Sequence, residues 1–288
     1  MALEKLDTTQ LEVQGEGDPV LAGEEVGEGP PVVLLHGVTA TRRYVVHGSV
    51  ALPRRGYRMV TYDARGHGES TPAPPGTGYG YEELGEDLGR VVERTATSPP
   101  LLGGHSMGCH TVASYALERA DELAGVVLIA PATLGLPPDG ESLAGWDRLA
   151  EGLERDGVDG FMRAYEADLH VDPDWRERVI QITRERLQRH RHPLAVAQAL
   201  REVPRSVPFD GLAELESLDL PALVVASRDD ADPGHPHGVA EAWAEALPRA
   251  ELIGEDRGES PLAWQGGRLS RAIADFCERP DVAERLRP

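Results

Sequence analysis

Serine becomes a useful nucleophile only when its surroundings take its proton and neutralise the oxyanion that its attack creates. One segment of this chain suits the second task. Gly104-His105-Ser106-Met107-Gly108 matches G-x-S-x-G and lies between a short apolar run and a helical period. A turn of this kind holds its serine in a strained backbone conformation, with glycines where neighbouring backbone must approach without a Cβ clash. The helix that follows aims its first N–H groups at the serine and favours negative charge there. Gly-rich turns produce the pentapeptide by chance, so its weight comes from the elements around it.

Those elements follow from hydrophobic patterning. Short apolar runs alternate with helical periods, the βαβ signature of a mostly parallel sheet. Strands are predicted around Leu11–Gln14 and Val20–Val26, then at Val32–Leu35, Arg58–Tyr62, Leu101–Leu102 with its flanks, Val126–Ala130, Leu223–Ala226 and Glu251–Ile253. Helices are predicted over Tyr81–Arg94, Met107–Arg119, Val239–Leu247 and Leu262–Cys277. Between Pro131 and Leu220 the alternation stops, and only helical periods appear, around Leu143–Leu153, Phe161–Tyr165, Arg176–Gln188 and Leu194–Val203. This implies an α/β core from residues 1–132 and 218–288, with a helical cap over residues 133–217. The basic run Arg184–His192 reads as a solvated helix face.

Two further motifs give the G-x-S-x-G turn its context. His36-Gly37-Val38 follows one apolar run, and Tyr62-Asp63-Ala64-Arg65-Gly66-His67-Gly68-Glu69-Ser70 follows the next. In this order, an HG turn, a D-x-R-G-x-G-x-S turn and then the serine turn, the chain closely resembles the α/β-hydrolase superfamily over nearly its whole length. The resemblance implies an α/β-hydrolase fold, a mostly parallel eight-stranded sheet with flanking helices and an inserted helical cap. Carried over by position, Ser106 is the nucleophile, and the backbone N–H groups of Val38 and Met107 form the oxyanion hole. His36 and His67, inside turn motifs, are expected to bond to backbone, and His105 to pack.

The resemblance places an acid after the penultimate strand, within Ser227-Arg228-Asp229-Asp230-Ala231-Asp232-Pro233. Counting on from Ser227 gives Asp230. Counting back from the helix end at Ala246-Leu247-Pro248 gives Asp232, which we favour slightly. A turn rich in Asp and Pro also needs no catalytic role.

The expected histidine base, after the last strand, is where the chain departs from the pattern. That stretch reads Gly254-Glu255-Asp256-Arg257-Gly258-Glu259-Ser260-Pro261, with Glu259 in the histidine position and no histidine beyond His237. An imidazole of pKa near 6.5 suits proton transfer at neutral pH, whereas a carboxylate near 4.3 is a much weaker base. Three readings follow. Glu259 acts as an unconventional base or holds a water that does. Alternatively His235 or His237, just past the acid loop, reaches Ser106, although such a Pro/Gly-rich stretch ordinarily makes a surface turn. Or the protein is catalytically silent and binds a small hydrophobic ligand under its cap. The first two give a serine hydrolase acting on a small carboxylic ester or lactone through a Ser106 acyl-enzyme.

Composition narrows the partners. The chain has 288 residues and a formal net charge of −20, so it lacks the basic footprint of a nucleic-acid or anionic-membrane binder. Of its 29 basic residues all but Lys5 are arginine, which reads as codon usage. Cys109 and Cys277 are too few for a disulfide framework. The N-terminal stretch has neither the basic nor the apolar region of a secretory leader. A small-molecule substrate, no cofactor, no metal and a cytoplasmic location are expected, with the oligomeric state open.

Overall fold

The continuous apolar runs become the middle of one sheet, where strands are covered on both faces and no alternation is needed. A computed structural model describes residues 6–287, so Lys5 and the start of the N-terminal stretch lie outside it. The strands are β1 (Thr8–Val13), β2 (Leu21–Val26), β3 (Pro31–Leu35), β4 (Arg58–Tyr62), β5 (Leu101–His105), β6 (Gly125–Ile129), β7 (Ala222–Val225) and β8 (Ala250–Ile253). They form a single sheet in the order β1-β2-β4-β3-β5-β6-β7-β8. β2 runs antiparallel to both its neighbours, and every pairing from β4 to β8 is parallel. This is the α/β-hydrolase fold that the motifs imply.

The helices are α1 (Ala51–Arg54), α2 (Tyr81–Thr95), α3 (Met107–Arg119), α4 (Gly140–Ala167), α5 (Pro173–Leu187), α6 (Pro193–Glu202), α7 (Leu212–Leu215), α8 (His237–Ala246), α9 (Gly266–Cys277) and α10 (Pro280–Arg285). One apolar layer, including Leu88, Val112, Ala116 and Trp243, packs α2, α3 and α8 on one face of the sheet. A second, including Leu52, Leu269, Ile273 and Phe276, packs α1 and α9 on the other. Both cysteines are buried and unpaired in these layers.

α4 to α7 fill the interval between β6 and β7, and that interval contains no strand among the described residues. α4 is two arms, broken at Asp156 and at Gly157 with its φ of 62°. A third apolar cluster joins Ala150, Leu153, Phe161, Val196 and Leu200 of α4 and α6 to Val38, Ala64 and Met107. The helical segment therefore rests directly on the turns that follow β3, β4 and β5. Two expectations change here. The single helix expected over Leu262–Cys277 is a 3₁₀ turn at Leu262–Trp264 followed by α9. The basic run Arg184–His192 is not simply solvated. Arg186 Nε is buried, and His190 Nδ1 accepts the Gly68 N–H at 2.9 Å.

Candidate active site

The serine turn is tight because two glycines make it so. A Cβ on Gly104 would stand 2.1 Å from the Gly108 carbonyl oxygen, and one on Gly108 would stand 2.8 Å from that of Leu35. Ser106 adopts φ 53° and ψ −114°, an arrangement that side-chain-bearing residues avoid and that surrounding contacts must enforce. The enforcing contacts are present. Ser106 N–H donates to Ile129 O at 3.0 Å, and Gly108 N–H donates to His36 O at 3.2 Å. His110 Nδ1, one turn into α3, lies 2.9 Å from Ser106 O. Burial lowers the His110 pKa to about 4, so its imidazole stays neutral. The N–H groups of Val38 and Met107 have no acceptor among the described residues, and Gly37 packs against Ser106 Cβ.

Neutral histidines hold the neighbouring turns. His36 Nδ1 faces Gly37 O at 2.8 Å while Nε2 accepts the Ala64 N–H at 3.0 Å. His67 sets Nε2 2.7 Å from Val38 O and Nδ1 2.8 Å from Arg65 O, and in its neutral form donates to one of these two carbonyls. Both rings therefore bond to backbone and tie the HG turn to the D-x-R-G turn. Within the latter, the buried Arg65 is bidentate to Asp87, with Nε to Oδ2 at 2.7 Å and Nη2 to Oδ1 at 2.8 Å.

The loop after β7 gives the two candidate acids different partners. Asp232-Pro233-Gly234-His235 is a β-turn, closed by His235 N–H donating to Asp232 O at 3.0 Å, with proline at the position that favours its fixed φ. The turn brings side chains i and i+3 together: His235 Nδ1 lies 2.9 Å from both Asp232 oxygens. Ser227 O–H donates to Asp232 Oδ2 at 2.8 Å. Burial pushes the Asp232 pKa up, but His235, then Ser227, outweigh it and hold the carboxyl at about 2. With Nδ1 committed to the carboxylate, Nε2 of His235 is left for proton exchange. The His235 ring is 5.2 Å, centroid to centroid, from that of His105, the residue before Ser106. His105 is itself held neutral, its pKa lowered to about 3 by burial and by His235. No hydrogen bond joins His235 to Ser106 Oγ among the described residues; contacts of this kind commonly tighten only with substrate bound.

The other candidates lie elsewhere. Asp230 Oδ2 accepts the Gly258 N–H at 3.0 Å, bracing the turn after β8. In that turn Glu259 is exposed, and its N–H donates to Asp256 O at 3.1 Å. The buried carboxylate there is Glu255, whose Oε2 accepts the Leu262 N–H at 2.7 Å. His237 begins α8 and faces Glu241 at 3.5 Å. The sequence signal for the His235–Asp232 contact is the D-x-x-H spacing across a Pro-Gly turn. Among the described residues no cluster of three or more His, Cys, Asp or Glu side chains is arranged to hold a metal, and no helix is long and apolar enough to cross a membrane.

Comparison with known proteins adds the wider setting. Residues 30–264 match a family model described as alpha/beta hydrolase fold. A "Putative non-heme chloroperoxidase" of Synechocystis is 32% identical over 142 residues, a match spanning 49% of this chain and 48% of that protein, about half its length. A "Putative carbamate hydrolase RutD" of Agrobacterium fabrum is 28% identical over 80% of this chain and 85% of its own. Among solved structures, a thermophilic esterase from Thermogutta terrifontis superposes with TM-score 0.73 at 25% identity, covering 93% of this chain and 97% of the esterase.

Proposed function

This chain belongs to the α/β-hydrolase fold family, and from that premise we propose that it is a serine hydrolase of small carboxylic esters or lactones whose base is His235. The observation that carries this reading is the half-buried Asp232–His235 pair beside His105 and the strained Ser106. Likeness to an esterase and to a protein named as a carbamate hydrolase supports acyl transfer as the reaction class.

Ser106 Oγ attacks the substrate carbonyl carbon and passes its proton to His235 Nε2. Asp232, ionised at any pH well above 2, holds the Nδ1–H and stabilises the imidazolium. The carbonyl oxygen takes the negative charge and is held by the N–H groups of Val38 and Met107, which have no acceptor among the described residues. Collapse expels the alcohol, which takes the proton from His235 and leaves an acyl-Ser106. Water then gives a proton to His235, attacks the acyl carbon, and releases the acid as Ser106 regains its hydrogen. The helical segment α4–α7 acts as a cap, its apolar contacts on Val38 and Met107 shielding the oxyanion from water.

The test is covalent labelling of Ser106 by a fluorophosphonate, together with turnover of short-chain 4-nitrophenyl esters. Labelling and turnover in the wild type, both lost in Ser106→Ala, are expected. An unlabelled wild-type protein that turns over no ester, yet is thermally stabilised by apolar ligands, would instead be a silent ligand binder.

A further inference from the structure

α5 sends one arginine inward. Arg186 shares with Ile182, His105, Gly37 and Trp264 the wall of a cavity of about 20 Å³. Gly37 and His105 also flank Ser106, so this cavity adjoins the nucleophile. Arg186 Nε is buried without a hydrogen-bond partner, and the guanidinium contact present is Nη2 to Thr183 Oγ1, a long 3.3 Å. No carboxylate among the described residues comes within ion-pairing distance of it. In a chain with 49 acidic residues against 29 basic, a half-buried guanidinium whose Nε is fully buried and unpartnered is a costly arrangement unless an anion arrives.

We propose that Arg186 is a specificity-determining residue that receives a carboxylate on the substrate, so that the preferred esters or lactones are monoanions with a free carboxylate a few bonds from the scissile carbonyl. This rests on the serine-hydrolase reading above and names its substrate class. Three properties of the cavity favour a carboxylate. The guanidinium fork matches two coplanar oxygens, which a single ammonium cannot do. At about 20 Å³ the cavity holds little more than one water-sized group, which sets it against a bulky anion such as phosphate. The histidines on its wall, His36, His47 and His105, are all held neutral by burial, so the wall offers one positive charge, which balances a monoanion better than a phosphate dianion. A purely structural role is the rival, because Arg186 also lies close enough to Asp232 to feel its charge.

The experiment compares acidic and neutral esters of equal length: monomethyl succinate, glutarate and adipate against the matching methyl alkanoates, by pH-stat at pH 7.5. Wild type is expected to favour at least one acidic ester by tenfold or more in kcat/KM, and Arg186→Met to bring that ratio close to one, with Arg186→Lys between. A wild-type ratio near one across the series, or an Arg186→Met variant that loses both esters together with the ratio intact, overturns the proposal while leaving the serine-hydrolase reading standing. Binding is read separately through thermal stabilisation by glutarate, expected in wild type and lost in Arg186→Met. If no ester is turned over and Ser106 is not labelled, the hydrolase reading falls. In that case stabilisation by glutarate that depends on Arg186 still supports the anion site, and its absence overturns it.

Discussion

Exchange of His235 for glutamine, set against Glu259→Gln, separates the two assignments of the base in one experiment. The magnitude follows from the Asp232–His235 pair. Asp232 is held at about 2 in place of the ordinary 3.8, a preference for the ionised form of roughly 2 kcal/mol. Burial acts against that preference, and His235, ahead of Ser227 and His105, outweighs it. The carboxylate in turn stabilises the imidazolium formed as Ser106 gives up its proton. A contribution of roughly 2 kcal/mol corresponds to about 30-fold in rate, so Asp232→Asn should slow kcat/KM by at least about tenfold. His235→Gln removes the proton acceptor itself and should cost about 10²- to 10⁴-fold. Glu259→Gln changes an exposed turn and should stay within about twofold of wild type, as surface substitutions do. The assay is kcat/KM on 4-nitrophenyl butyrate from pH 5 to 10, with the rate of fluorophosphonate labelling as a second readout. Full activity in His235→Gln with loss in Glu259→Gln would refute the assignment.

Two other outcomes are expected. Arg65→Met leaves the buried Asp87 with only Arg90 to pair it and should destabilise by about 2 to 4 kcal/mol, read as a lowered urea midpoint; an unchanged midpoint would show that the pair is dispensable. The buried histidines should make the fold acid-sensitive. His105 and His190 are lowered to about 3 and His110 to about 4, each chiefly by burial, from an ordinary 6.5. The unfolded chain takes up protons below pH 6.5 while the folded chain resists, so this stability is complete above pH 6.5 and lost as pH falls toward 4 and 3. At pH 5.5 each costs about 1.4 kcal/mol, about 4 kcal/mol for the three. Equal urea midpoints at pH 7.5 and 5.5 would contradict this.

Burial explains which parts of the structure could be read from the sequence. β3, β5, β6 and β7 were visible because strands covered on both faces are written as unbroken apolar runs. β8, at the sheet edge with Glu251 and Leu252 exposed, carried a weaker pattern and an approximate start. The helical segment was visible by its period, but the break at Asp156–Gly157 depends on a positive φ that composition does not announce. Ser106 with the Val38 and Met107 amides was legible because a backbone device needs glycines at fixed spacings. The His235 contact was obscured by its own locality: Pro-Gly turns are common, and only the three-dimensional neighbourhood shows that this one points inward. Arg186 was misread for a related reason. A basic run on a helix looks solvated until the helix is docked, and here one of its guanidiniums faces the turns beneath.

The Asp232–His235 turn has a consequence for how such a protein changes over generations. On the proposed assignment acid and base lie three residues apart on one loop, so the pair is inherited, transplanted or lost as a single cassette, and no second loop must be kept in register with it. The turn after β8, from Asp256 to Glu259, then carries no chemistry, and what still constrains it is structural: the Asp230 carboxylate that accepts the Gly258 N–H.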